Sequence, residues 1–411
     1  MKLITVPVSG KVFGRSEIDN AIAAARDGWW TEGRFAKQFE KDFRSYLSVR
    51  YVSLVNSGSS ANLIALSSLT SSVFGKLALK PGDEVITTAT GFPTTVNPIV
   101  QNRLTAVFID NNIGTKNATV SAIKKAITKK TRAIMMAHTL GNPLPLHYIM
   151  EIVKKHNLWF IEDCCDALGS TYGGKLAGTF GHVATFSFYP AHQITMGEGG
   201  AVVTNNPLIH RAIRQFRDWG RDCWCDTGCD NTCRKRFGWK MGGLPYGYDH
   251  KYIYTQIGYN MKLTDFQAAI GVAQLKRLPS FVKKRKQNFS DLYNFFTQYT
   301  KYFVLPEWES EADPCWFGFM LVIREGAPFS RLEFVKFLEE KGIATRSLFA
   351  GNLLKHPAYI GRSDIRVVGN LDSSDKIMND GFWIGVYPGI TKSMLMYVKA
   401  QCRLFLSQYC R

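Results

Sequence analysis

Arg132-Ala-Ile-Met-Met-Ala-His138 and Leu158-Trp-Phe-Ile-Glu162 flank His147-Tyr-Ile-Met-Glu-Ile-Val-Lys-Lys-His156, and these three runs decide the fold. The outer two read as short strands and the middle one as a helix. Working outward, Val52–Val55 reads as a strand, Ala61–Leu69 as a helix, and Glu84–Thr88 and Ala106–Ile109 as strands. Ala184–Phe188 and Ala201–Thr204 add two more. Strands that alternate with helices imply an α/β fold: a mainly parallel sheet covered on both faces, an α/β/α sandwich. Ligands of such sheets sit at the carboxyl ends of the strands.

Residues 216–258 break this rhythm with Cys, Trp, Gly and Arg. Helical periodicity returns at Thr264–Leu275 and continues through a basic helix to about residue 299; strands and helices then alternate again from about residue 302. The expected organisation is a large domain, 1–275, with an insertion near 216–258, and a smaller C-terminal α/β domain, 276–411. No internal repeat or low-complexity tract interrupts it.

The chain has 411 residues, 45% hydrophobic and 20% charged, the balance of a soluble globular protein. No stretch approaches the roughly 18 consecutive apolar residues of a membrane span. The N-terminal apolar run is too short for a signal peptide, so the expected location is cytoplasmic, with no membrane partner. The net charge is +18 and the pI near 9.5, which favours anionic partners. The basic residues are dispersed, however: Lys124, Lys125, Lys129 and Lys130 fit a solvated face, as do Lys283, Lys284, Arg285 and Lys286. Anionic small substrates are therefore expected rather than nucleic acid. Nine cysteines in a reducing compartment point to metal or redox chemistry before disulfides.

Asn56-Ser-Gly-Ser-Ser-Ala-Asn62 follows a strand and opens a helix. Gly58 and Ser59 there let backbone amides approach a phosphate at a helix N-terminus, although capping alone accounts for many such turns. Asp163 ends the strand Leu158–Glu162; its carboxylate suits a protonated pyridine nitrogen, with a helix cap as the plain alternative. Phe92, in Thr88-Ala-Thr-Gly-Phe-Pro93, offers a ring to stack on a pyridine face, or simply to fill core. Ser187-Phe-Tyr-Pro-Ala-His-Gln-Ile-Thr-Met-Gly-Glu-Gly-Gly200 has the layout of the loop that carries the Schiff-base lysine of pyridoxal phosphate enzymes, with His192 in the lysine's place. Imidazole forms no Schiff base, yet it moves protons near neutral pH.

The order of these features resembles the sugar aminotransferases of the DegT/DnrJ/EryC1/StrS family over nearly the whole chain. The resemblance implies a fold-type I, pyridoxal phosphate-dependent aminotransferase-like architecture. It extends to Gly258-Tyr-Asn-Met-Lys-Leu-Thr-Asp265, which looks like the family's Gly-Tyr-Asn motif. It implies that Asn260 reaches the cofactor phosphate of a neighbouring subunit, hence a homodimer. The loop with His192 is similar to that of the sugar 3-dehydrases, which use pyridoxamine phosphate and a histidine base.

Arg221-Asp-Cys-Trp-Cys-Asp-Thr-Gly-Cys-Asp-Asn-Thr-Cys-Arg234 holds Cys223, Cys225, Cys229 and Cys233. Four local thiols suit zinc, though a Cys-x-Cys start is awkward for tetrahedral closure. A 2Fe–2S cluster also takes four thiolates and accepts one from a distant segment. Cys164-Cys165-Asp166 is such a segment, and with it the pattern looks like the cluster motif of CDP-4-keto-6-deoxyglucose 3-dehydrases. That resemblance implies Cys165, Cys223, Cys225 and Cys233 as ligands, with Cys164 or Cys229 as substitutes; Cys315, Cys402 and Cys410 are expected to be incidental thiols.

The resemblance further implies C3 deoxygenation of a CDP-linked 4-keto-6-deoxyhexose in dideoxysugar biosynthesis for lipopolysaccharide. His192 would act as base, Asp166 and Tyr189 would line the pocket, and an NADH-dependent flavin/iron–sulfur reductase would supply electrons. A dTDP-linked substrate and a silent zinc-binding homologue are the alternatives. In Ala344-Thr-Arg-Ser-Leu-Phe-Ala-Gly-Asn352, Arg346 and Asn352 are candidate substrate contacts, Arg346 suiting a bidentate phosphate.

Overall fold

A computed structural model describes residues 4–409, so Cys410 lies outside the described residues. Seven strands form in chain order as expected: β1 (Tyr51–Val55), β2 (Glu84–Thr88), β3 (Thr105–Ile109), β4 (Thr131–Ala137), β5 (Trp159–Asp163), β6 (Val183–Ser187) and β7 (Gly200–Thr204). With β8 (Ile365–Val367) they make an eight-stranded sheet in the order β1-β7-β6-β5-β4-β2-β3-β8. Only β7 runs against its neighbours.

The strands are apolar runs because both faces are covered. Side chains alternate between faces along each strand. Ala133, Met135 and Ile161 pack on helices Gly58–Ser68 and Pro93–Gln101. Ile134, Met136 and Phe160 pack instead on helix Leu146–His156. The register places Val55, Gly200 and Ser187 in one row at the same edge of the sheet. That row sets where the turn after β1 meets the loop after β6.

The C-terminal part forms a four-stranded antiparallel sheet, in the order Phe303–Val304, Gly318–Ile323, Gly381–Gly385, Thr345–Arg346. Its core is aromatic, with Phe289 and Trp316 stacked at 4.0 Å between centroids. The boundary expected at 275/276 falls inside one helix, Asp265–Phe296, of 32 residues. Thr264 and Gln267 form a capping box at its start. Its first half packs on Phe35, Phe39 and Phe43 and its second half on the aromatic core. Two further links cross the boundary: β8 extends the large sheet beside β3, and Val6 bridges Ile343.

One correction concerns the basic run at 283–286. Arg285 is 1% exposed, not solvated. Leu278, Phe281, Asn288, Phe289 and Leu292 are buried on the same helix, and three- and four-residue spacing places Arg285 in their stripe. Cys315 and Cys402 are both buried, as expected.

Glu162 is wholly buried near the end of β5. Its Oε1 accepts from the amides of Phe180 and Gly181, and its Oε2 from the Gly178 amide at 2.9 Å. Nδ1 of His138 accepts from the Leu144 amide, so the proton sits on Nε2, 3.1 Å from Glu162 Oε2. Cys164 lies in the same buried group, its thiol pushed well up by burial and the carboxylates of Glu162 and Asp163. Both Glu162 oxygens already have donors, which marks the trio as structural. Gly178, at φ +87°, has no room for a side chain against Phe186. Glu162→Ala strands three amides and an imidazole. It is expected to cost about 3 kcal/mol or more in urea unfolding, and Glu162→Gln distinctly less.

Candidate active site

β1 ends at Val55, and Ser57 caps helix Gly58–Ser68, its Oγ accepting from the Ser60 amide at 3.1 Å. The first-turn amides of Gly58 and Ser59 are not used by the helix itself, leaving donors for an anion. Gly58 is required by space. A Cβ there would strike Ser187 and lie within 3.0 Å of Cys165 Sγ. A side chain at Gly200 would likewise strike the Ser57 carbonyl and approach the Gly58 amide. The turn after β1, the end of β6 and the start of β7 thus close into one cup.

Asp163 stands beside it, 4% exposed at the end of β5. Its Oδ2 accepts from Asn62 Nδ2 at 2.8 Å and from Thr95 Oγ1 at 2.6 Å, and its Oδ1 from the Cys165 amide at 3.0 Å. Thr185 Oγ1 donates to Asn62 Oδ1 at 2.6 Å and fixes the amide's orientation. Sequence reasoning missed Asn62, Thr95 and Thr185. Asn62 had a readable signal, a lone amide among Ala61, Ile64, Ala65 and Leu66 of a helix buried on nearly all sides. Phe92 precedes helix Pro93–Gln101, half exposed, with Phe349 edge-on at 5.7 Å.

His192 follows Ser187 and Tyr189 on the loop after β6. Its Nδ1 lies 3.5 Å from Asp166 Oδ1, without hydrogen-bond alignment, and has no other protein partner. Burial pushes the imidazole down to about 4, helped by the Arg285 charge and opposed by Asp163. Burial and the Asp163 charge push Asp166 up to about 8, against the Leu140 amide and Arg285. Burial thus favours the neutral form of both partners in this contact. A neutral imidazole with an unengaged nitrogen is a proton acceptor in waiting. The Tyr189 ring is half exposed, 6.5 Å from the imidazole.

Cys223, Cys225, Cys229 and Cys233 line one small cavity with Arg236, His250 and Lys251. Burial acts to raise the Cys225 thiol, but hydrogen bonds from Thr232, Cys233 and Cys223 bring it down to about 7. Cys165 stands apart. It does not line that cavity, and among the described residues none of these five thiols belongs to a group of three closely spaced metal-ligating atoms. It follows β5 into the cup, where burial and the nearby acids Asp163 and Asp166 hold its thiol well up. The insertion is anchored elsewhere: Asp222 holds Arg211, Gln215 and His250, and Thr227 reaches Glu32.

Asn260 is exposed beside Lys262, whose Nζ donates to it at 3.2 Å. Arg346 is exposed at the end of its short strand. Asn352 is not the free substrate contact expected. It is 1% exposed, its Nδ2 donates to Asp375 at 2.6 Å, and its Oδ1 accepts from the Leu354 amide, so it shapes a turn. No helix among the described residues is long and apolar enough to cross a membrane.

Comparison with known proteins matches this arrangement. The chain is 54% identical over 400 residues to the lipopolysaccharide biosynthesis protein RfbH of Salmonella typhimurium, covering 97% of this chain and 91% of that one. It is 49% identical over 400 residues to dTDP-4-dehydro-2,6-dideoxy-D-glucose 3-dehydratase of Saccharopolyspora spinosa, covering 97% and 86%. The structure of Escherichia coli GDP-4-keto-6-deoxy-D-mannose-3-dehydratase with bound hydrated PLP superposes with a TM-score of 0.87 at 29% identity, covering 97% and 99%. Residues 12–403 match the DegT/DnrJ/EryC1/StrS aminotransferase family, and the chain belongs to that family, with its fold-type I architecture.

Proposed function

We propose that the protein is a nucleotide-sugar 3-dehydrase that binds pyridoxamine phosphate noncovalently and removes the C3 hydroxyl of CDP-4-keto-6-deoxy-D-glucose. The observation that carries this reading is His192: an unprotonated base, with no amine, beside a cup built for a phosphorylated pyridine. The residues present fit that cofactor. Gly58 and Ser59 amides with Ser187 would hold the phosphate, Asp163 the ring nitrogen, and Phe92 the ring face. The cofactor supplies an amine to condense with the C4 ketone and a ring to accept electrons. His192 would take the proton from the cofactor's C4′ carbon, and Asp166 beside it would line the pocket and assist that base. Arg346 is assigned to the substrate diphosphate. Exposed Asn260 is assigned to the cofactor phosphate of a second copy, which makes the working unit a homodimer.

The thiols fit a 2Fe–2S cluster in part. Cys223, Cys225 and Cys233 line one small cavity with Cys229, which supports a shared ligand role, and the fourth donor is Cys165 by family pattern or Cys229 by proximity. Bound by these thiols, such a cluster would supply single-electron transfer, with an NADH-dependent flavin/iron–sulfur reductase as the proposed electron source. A dTDP-linked sugar is the second reading, favoured by the 49% identity to the Saccharopolyspora enzyme. Turnover of the two substrates side by side decides the nucleotide.

Anaerobically purified protein is expected to carry iron and sulfide at about two each per chain. Cys225→Ser should lose both, and comparing Cys165→Ser with Cys229→Ser names the fourth ligand. Colourless protein with zinc overturns the cluster. His192→Asn should bind pyridoxamine phosphate normally yet fail to exchange its C4′ hydrogen with solvent. His192→Lys should trap pyridoxal phosphate in a borohydride-reducible link.

Asp166 makes a pH prediction with a definite sign. Its folded pKa is raised to about 8 from 3.8, so the folded state holds a proton that the unfolded chain releases. Stability falls as pH rises between those values. Asp166→Asn should therefore raise the melting temperature of the cofactor-free protein by a few degrees at pH 8, and by less at pH 5.

A further inference from the structure

Arg285 heads the largest fully buried side chains, yet among the described residues no carboxylate forms an ion pair with it, and Asp166 acts on it only through space. Burying a guanidinium without a counter-ion costs several kcal/mol. Four backbone carbonyls surround it instead. Nη1 donates to Trp316 and Phe317, each at 3.3 Å, and Nη2 to Ala191 at 3.3 Å and His192 at 2.8 Å. Its Nε finds no acceptor. The Phe317 ring lies 5.9 Å from the guanidinium and 5.3 Å from the imidazole, so both groups neighbour one ring.

Gln193 completes the grip. It is 2% exposed, and its Nε2 donates to the Asp166 carbonyl and, at 3.2 Å, to that of Cys315. Residues 191–193 are thus tied to the chain after β5 and to the segment leading into strand Gly318–Ile323. Packing alone does not explain the choice, since an uncharged side chain would fill the space without the desolvation cost. A fork of fixed N–H groups spanning two pairs of carbonyls does explain it.

We propose that Arg285 is a positioning residue for the base: it holds the His192 main chain so that the imidazole stays aimed at the cofactor cup, and ties that loop to the small unit. The charge supports this role, because it also opposes protonation of the imidazole. Of the other charged groups facing that ring, Asp163 favours its protonation, and the Asp166 carboxyl lies 3.5 Å from its Nδ1. The proposal rests on His192 being the base.

The test uses full-length protein loaded with pyridoxamine phosphate and reads solvent exchange at C4′ beside cofactor affinity. Arg285→Met is expected to bind the cofactor within about twofold of normal while exchange falls about 100-fold, the scale of a small misplacement of a reacting group. Arg285→Lys keeps the charge but not the fork, and should recover part of the rate. In Arg285→Ala, added guanidinium should restore exchange by about tenfold or more and methylammonium should not, because only the former has the fork. Should Arg285→Met fail to fold, the Lys variant and the rescue still decide. Exchange at the normal rate in Arg285→Met, or no guanidinium response in Arg285→Ala, overturns the proposal. His192→Asn separates the two readings: unchanged exchange there removes the base itself, whereas lost exchange there with normal exchange in Arg285→Met removes only the role of Arg285.

Discussion

Two consecutive carboxylates at the end of β5 govern the site. Strand geometry sends neighbouring side chains to opposite faces, so Glu162 and Asp163 cannot share a task. Glu162 takes three amides from residues 178–181 and one proton from His138. It thereby fixes the connection into β6, and so the place of Ser187. Asp163 faces the other way, held by Asn62, Thr95 and the Cys165 amide. One residue secures the scaffold and the next is held at the cup. A shift of β5 by a single residue would exchange the two and lose both.

The sheet was legible because its strands are apolar runs separated by helical runs, and each predicted strand lies within a residue of its observed bounds. The positions of Gly58, Asp163 and Ser187 were legible for the same reason, since Asp163 and Ser187 close strands and Gly58 opens the helix that follows one. What supports those residues was not. Asn62, Thr95 and Thr185 meet Asp163 from three separate segments, and no sequence spacing shows that convergence. Arg285 was hidden by its company: in a run of four basic residues, only helical phase shows which one faces inward. Asn352 failed in the opposite direction, a polar residue in a promising motif whose amide serves its own turn.

The insertion shows how far local pattern reaches. Four thiols within one short segment do come together, as a Cys-rich loop with bends must bring them. A distant fourth ligand is a statement about tertiary structure. Here Asp222, Thr227 and Trp29 anchor the loop against the rim near β1, while Cys165 stays in the cup. The two environments differ electrostatically as well. Cys225 receives hydrogen bonds that favour thiolate, whereas Cys165 sits among acids that oppose it.

The same field bears on why one loop position separates two chemistries. Burial and the Arg285 charge both disfavour a cation at residue 192, whatever its side chain. A lysine there would be driven toward the neutral amine, the form that attacks an aldehyde. A histidine there is driven toward the neutral ring, the form that accepts a proton. The surroundings therefore need no change between a covalent anchor and a free base; only the reach and nucleophilicity of the side chain differ. In this chain Arg285 and Gln193 grip a loop that carries an imidazole, a side chain that can take up a proton but cannot form a Schiff base.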